Sequence, residues 1–146
     1  MSRKSCRRRH VTPLPPPGMR PPPPKLAPPQ VRDLALTHAV NLDAIARGTA
    51  DEATMWQWVG GVFTWERVAS LLQVGVPEMD TQVAVAHRLV SRYRSTGKVG
   101  FSGLEYQAAR TGLQVMDELI TIVDLPTAML ASEWAEQMTN ELKGSS

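Results

Sequence analysis

The stretch VRDLALTHAVNLDAIAR at residues 31–47 decides the fold class, because its apolar residues recur at steps of three and four. One stripe of a helix contains five of them together with a histidine: Val31, Leu34, Ala35, His38, Leu42 and Ile45. Gly48 follows the stripe, and glycine commonly stands just past the end of a helix. The pattern therefore predicts a first helix over residues 31–47.

The same spacing returns along the rest of the chain. It predicts a second helix that runs to about residue 73, and further helices over about 78–95, about 103–123 and from the 124–126 break to about 143. No stretch alternates apolar and polar residues as a strand would. The sequence therefore predicts an all-α bundle of about five helices over residues 31–146. Three short connectors favour antiparallel packing of consecutive helices.

Local signals place several helix ends. Thr49 with Glu52, and Ser102 with Glu105, have the spacing of a capping box at a helix N-terminus. Pro77 suits a first helical turn, where its missing N–H is harmless. The pair Gly60-Gly61 interrupts the second helix, and we expect either a kink or a close helix contact there.

The first thirty residues, MSRKSCRRRHVTPLPPPGMRPPPPKLAPPQ, differ sharply from the rest. They carry seven basic and no acidic side chains, whereas residues 31–146 carry nine basic and fourteen acidic ones. Ten of the twelve prolines lie in residues 13–29, which excludes helix or sheet interior and favours polyproline II. We expect residues 1–30 to be a disordered, basic, proline-rich arm in front of the bundle.

Several classes of protein are disfavoured. Cys6 is the single cysteine, so no intrachain disulfide can form, and a reducing cytoplasm fits. No apolar run reaches the roughly 18–20 residues of a membrane span, and prolines stand where a signal peptide would need an apolar segment. We expect a cytoplasmic protein without a membrane partner.

Catalytic patterns are not apparent. The histidines His10, His38 and His87 share no spacing typical of a metal site or a nucleophile–base pair. For His38 and His87 a core or rim position is the favoured interpretation. The sequence predicts a protein that is not an enzyme and holds no cofactor or metal.

Two constellations in the body are candidates for partner binding. The stretch MWQWVGGVFTW at residues 55–65 contains three tryptophans, of which Trp58 and Trp65 share a helix face while Trp56 points elsewhere. Either Trp58 and Trp65 are core and Trp56 is half-exposed, or the surplus aromatics, Trp56 and Trp65, form a partner or self-association surface. Arg88 and Arg92 are neighbours one helical turn apart, with Arg94 and Lys98 close by. They form either a solvated face or an anion-facing patch.

The basic and proline residues of the arm are compatible with four functions. Five of its cations are candidates for gripping nucleic-acid phosphates without reading bases: Arg3, Lys4, Arg7, Arg8 and Arg9. PLPP and PPPP satisfy the PxxP pattern of polyproline recognition. A solubilising tail and a strap onto neighbouring subunits are the other two interpretations.

Two segments resemble a family of small helical proteins encoded by phages, prophages and plasmids of β-proteobacteria. They are NLDAIARGTADEATMWQWVGGVFT at 41–64 and STGKVGFSGLEYQAARTGLQVMDELITIV at 95–123. The matching positions are the step at 48–51 and the turn from Gly97 to Glu105. The family has no assigned activity, so the resemblance implies a mobile-element origin and transfers no functional residue.

Together these observations predict a non-enzymatic accessory protein of a phage or mobile element that acts by protein–protein binding. A host protein, such as a component of a defence system that it inhibits, is one expected partner, and a second copy of the chain is another. The alternative is a nucleic-acid-binding or virion-associated protein that uses the basic arm.

Overall fold

The structure, a computed structural model, describes residues 21–145, and within this range the chain forms five α-helices and no strand. The helices are α1 (Pro28–Arg47), α2 (Glu52–Leu72), α3 (Val76–Thr96), α4 (Gly103–Ile122) and α5 (Leu125–Gly144). The predicted all-α bundle is confirmed. None of these helices combines the length and apolar character needed to cross a bilayer.

Most predicted helix ends are confirmed. Gly48 and Gly97 follow α1 and α3 with φ of 73° each, in the left-handed region that favours glycine. At the start of α4, the Ser102 amide donates to Glu105 Oε1 at 2.8 Å, and the Glu105 amide donates to Ser102 Oγ at 3.2 Å. This is the predicted capping box.

The cap predicted for α2 is wrong. Asp51, and not Thr49, is the N-cap residue, and its Oδ1 accepts a hydrogen bond from the Thr54 amide at 2.8 Å. The amide and the hydroxyl of Thr49 both donate to the Ala44 carbonyl instead, at 3.0 and 3.3 Å. Thr49 therefore completes the end of α1, and the next helix begins two residues later than expected.

The segment before α1 contacts the bundle. The Leu125 amide donates to the Pro24 carbonyl at 2.7 Å, and Lys25 forms an isolated β-bridge with Asp124. Leu26 packs against a core cluster that contains Trp65. Residues 24–26, which the sequence assigned to the arm, therefore lie against the helical domain, and residues 28–30 form the start of α1, which begins three residues earlier than predicted. The predictions for residues 1–20 fall outside the described residues.

Helix α2 is the centre of the bundle, since it packs against all four other helices. Its apolar residues occupy two core clusters. Met55, Trp58 and Val62 belong to the first, and Trp65 and Val68 belong to the second. Consecutive helices pack together from α1 to α4, as the short connectors predicted, whereas the close backbone approach of α5 is to α2.

Glycines allow helices to approach at two crossings. A Cβ atom added at Gly61 would lie 3.0 Å from His38 Nε2 of α1, so the predicted close contact is correct, and α2 runs unbroken through both glycines. At the α3–α4 crossing, a Cβ atom at Gly112 would lie only 2.4 Å from Gln82 Cδ. Gln82 is fully buried there, and its Nε2 donates to the Ala109 carbonyl at 3.2 Å.

Candidate functional site

A cluster of aromatic and charged side chains lies where α2 begins and where α3 and α5 end. We name it the Trp56 surface and define it by five residues: Glu52, Trp56, Tyr93, Arg94 and Lys143. The Glu52 carboxylate accepts a hydrogen bond from Trp56 Nε1 at 3.2 Å and another from the Tyr93 hydroxyl at 2.9 Å. One carboxylate thus fixes two aromatic side chains from two helices.

The end of α5 completes this surface. Lys143 Nζ lies 5.4 Å from the centroid of the Trp56 ring, within the range of a cation–π contact. Arg94 of α3 donates to the carbonyl of Leu142 in the last turn of α5. A cation at this position also interacts favourably with the helix dipole. The Trp56 ring is therefore held on one side by α2 and on the other by α5.

The tyrosine of this surface stays protonated. Its hydrogen bond to the Glu52 carboxylate raises the pKa of the Tyr93 hydroxyl, because that bond stabilises the protonated form. Arg94 lines a hollow of about 470 Å³ together with Ser91 and Leu142, and Trp56 and Lys143 line a separate hollow of about 470 Å³. The Trp56 surface thus brings together a half-buried indole, a phenol and a guanidinium.

The structure places the other two tryptophans of this stretch in the core. Trp58 is 1% exposed and Trp65 is 2% exposed. The Trp65 ring stands edge-on to the His38 ring, with 6.1 Å between the centroids. The interpretation with Trp56 alone near the surface is therefore correct, and the assignment of Trp65 to a partner surface is corrected, because α1 and α5 cover its ring.

Arg92 is also engaged within the domain. Its guanidinium forms a bidentate pair with the Glu105 carboxylate, both N···O distances being 2.8 Å, and it donates to the Gly100 carbonyl at 2.6 Å. The hydrogen bond from Arg92 lowers the pKa of Glu105, which is 5% exposed. Arg92 therefore fastens the α3–α4 loop. The Arg92 side chain is 35% exposed, so its place in a partner surface stays a prediction, as does that of Arg88, which is exposed on α3.

The sequence did not predict a groove between α1 and α5. These helices both pack on α2 with their backbones apart, and the space between them holds about 340 Å³. His38 and Asn41 of α1, Gly61 and Trp65 of α2 and Met129 of α5 are among the residues that line it. A sequence signal was available, because His38 and Asn41 are polar residues three apart on an otherwise apolar stripe.

The three histidines of the sequence differ in where they lie. Burial lowers the pKa of His38 to about 4, so its imidazole is neutral at physiological pH. His87 is exposed on α3, with its ring 5.8 Å from the Phe63 ring. His10 lies outside the described residues, as do Arg3, Lys4, Arg7, Arg8 and Arg9. Within residues 21–145 no three His, Cys, Asp or Glu side chains are grouped to hold a metal ion.

Comparison of the chain with models of protein families, with curated proteins and with solved structures finds no match.

Proposed function

We propose that this chain is a non-enzymatic accessory protein that acts in the cytoplasm by binding a partner protein through the Trp56 surface. The observation that carries the proposal is the Trp56 side chain, which is half-buried and held between Glu52 and Lys143 next to Tyr93. Such a side chain presents an apolar face in a fixed orientation.

The composition of the Trp56 surface supports this role. Tryptophan, tyrosine and arginine are the residues most enriched among those that dominate binding energy at protein interfaces. All three occur here within one surface, as Trp56, Tyr93 and Arg94. Their contacts inside the domain fix them before a partner arrives, which reduces the entropy lost on association.

The resemblance to phage, prophage and plasmid proteins favours a host protein as the partner. An accessory protein of a mobile element that binds a host protein can act as an inhibitor, for example of a defence system. Residues 31–146 carry an excess of five acidic side chains, which favours a partner with a basic surface.

Photo-cross-linking identifies such a partner. A benzoylphenylalanine at Ala53, an exposed residue that lines a hollow together with Trp56 and Lys143, is introduced into the full chain in the cells that make it, and cross-linked proteins are identified by mass spectrometry. We expect one cross-linked protein that is absent when the same group replaces Gln114 on α4. Its affinity for the full chain is then measured with purified components.

Trp56→Ala is the decisive variant in that measurement. We expect it to weaken binding by at least about thirtyfold, the effect of an interface hot spot, while the bundle stays folded. Trp134→Ala is a matched control, since Trp134 is also half-buried and also carries a cation, the Arg67 guanidinium 5.1 Å from its ring centroid. Equal loss of binding by both variants would contradict the proposal.

A second candidate function rests on the charge of the arm. Seven basic and no acidic side chains in residues 1–30 favour unspecific binding of nucleic acid, as in a virion-associated protein. Replacing Arg7, Arg8 and Arg9 together by alanine tests it on the full chain. This function predicts loss of DNA retention in the triple variant and a steep loss with added salt in the parent protein.

A further inference from the structure

The groove between α1, α2 and α5 has the properties of a small-molecule site and is separate from the Trp56 surface. Its volume of about 340 Å³ lies within the range of roughly 300–1,000 Å³ that is usual for ligand pockets. Leu34, Trp65, Ala128 and Met129 supply much of an apolar lining. No aspartate, glutamate, lysine or arginine lines it.

Two polar groups in the lining have no hydrogen-bond partner within the described residues. They are His38 Nδ1 and Asn41 Nδ2, and their side chains are only 5% and 6% exposed. A buried polar group without a partner has lost its hydrogen bonds to water without replacement, which destabilises the folded protein. Each such group therefore needs a specific reason to be retained, and a ligand that completes its hydrogen bonds is one.

The other polar groups narrow what the groove can recognise. The hydroxyls of Thr37 and Thr64 donate to carbonyls of their own helices, those of Asp33 and Gly60, at 2.8 and 2.9 Å. Gln57 and Ser132 are the remaining polar residues of the lining. The Asn41 amide nitrogen lies just beneath the groove surface without a partner, so a small shift of the wall brings it to an acceptor in the groove. Because His38 is neutral and no charged residue lines the groove, a charged ligand would lose its hydration without compensation.

We propose that the α1–α2–α5 groove binds a small, uncharged, largely apolar molecule whose hydrogen-bond acceptor is bound by Asn41. The apolar part of the ligand lies against Trp65 and Met129. His38 stands edge-on to Trp65, and this contact fixes the orientation of the imidazole in the wall of the groove.

The neutral dye prodan is a suitable probe, since it is a naphthalene with a carbonyl acceptor and its emission shifts to the blue in apolar surroundings. It is titrated into the full-length protein. We expect a saturable blue shift with one site per chain. The anionic dye anilinonaphthalene sulfonate is expected not to displace it.

Two substitutions on α5 localise the binding. Ser132 lines the groove and is exposed, so Ser132→Trp fills the space without disturbing the core and should abolish the saturable signal. Gln137→Trp is the matched control on an exposed position of the same helix that does not line the groove. A signal that survives Ser132→Trp, or that both variants remove, would overturn the assignment.

The role of Asn41 is tested with a pair of ligands. Asn41→Leu keeps a similar volume and removes the donor, so prodan should bind roughly threefold to tenfold more weakly, the effect of one hydrogen bond. Dimethylaminonaphthalene, which lacks the carbonyl, should bind the parent and Asn41→Leu proteins equally. Equal losses for both dyes would show that Asn41 recognises no acceptor. If Asn41→Leu fails to fold, the Ser132→Trp and Gln137→Trp pair still decides the site.

Discussion

Two buried polar side chains, Gln82 at the α3–α4 crossing and His38 at the α1–α2 crossing, lie in similar positions with different consequences. Each rests against a glycine of the neighbouring helix, Gly112 or Gly61, and each keeps one buried atom without a hydrogen-bond partner. Gln82 also donates to the Ala109 carbonyl and has no space around it. His38 borders an open groove instead.

The difference shows how the surroundings decide what a buried polar group does. At the α3–α4 crossing the glycine brings two helices together, and the glutamine joins them. At the α1–α2 crossing Gly61 leaves space for the His38 ring. That ring borders the groove, which exists because the backbones of α1 and α5 lie apart. The first arrangement is structural, and the second leaves a polar wall accessible to a ligand after small movements.

Acidification should distinguish the two sites most strongly. The pKa of His38 in the folded protein is about 4, below its ordinary value of 6.5, so the unfolded chain binds the proton first as the pH falls. The stabilisation is complete above pH 6.5 and is lost as the pH falls towards 4, by about 3 kcal/mol. Urea unfolding of the parent and of His38→Met at several pH values measures it. Parallel pH profiles would contradict the expectation, and Gln82→Met should leave the profile unchanged.

Gly112→Ala should have the next largest effect. The added Cβ atom would lie 2.4 Å from Gln82 Cδ, so the glutamine must move and its hydrogen bond to Ala109 is strained. We expect a net loss of about 2 kcal/mol in the free energy of unfolding, even though alanine favours the helix. Denaturant unfolding tests this, and a Gln82→Ala change in the same chain should restore part of the loss. A more stable Gly112→Ala protein would show that the crossing is not tightly packed.

Gly61→Ala should have the smallest effect of the three. Its Cβ atom would lie 3.0 Å from His38 Nε2, and the imidazole can shift towards the groove. The helix gain of about 1 kcal/mol then offsets most of the cost. Gly60→Ala is the control, because its Cβ atom would lie 3.6 Å from Thr139 Oγ1, an ordinary contact, and it should stabilise by up to about 1 kcal/mol. If Gly61→Ala lowered the free energy of unfolding as much as Gly112→Ala does, the two crossings would be equally tightly packed, which would contradict this comparison.

The sequence predicted the features that depend on neighbouring residues. Apolar spacing gave the five helices, and the glycines at 48 and 97 and the Ser102–Glu105 pair gave their ends, because each signal is complete within a few residues. The cap of α2 was missed because Thr49 and Asp51 both have suitable side chains, and the sequence does not show that Thr49 is used by α1.

Features that join distant residues were not predictable in this way. Tyr93 reaches Glu52 across 41 positions, and Arg92 reaches Glu105 across the α3–α4 loop. The groove depends on the close approach of α5 to α2. No pattern among neighbouring residues indicates which helix α5 packs against. Trp56 was found as a candidate because tryptophans at positions 56, 58 and 65 cannot all lie on one face of a helix.

The central position of α2 has a consequence for synthesis of the chain on the ribosome. One face of α2 is covered by α5, which is made after α1, α2, α3 and α4. Until residues 125–144 leave the ribosome exit tunnel, apolar residues of that face remain uncovered. Translation proceeds at about 5–20 residues per second, so this face stays exposed for a few seconds. During that time chaperones can bind the nascent chain, and the chain can aggregate.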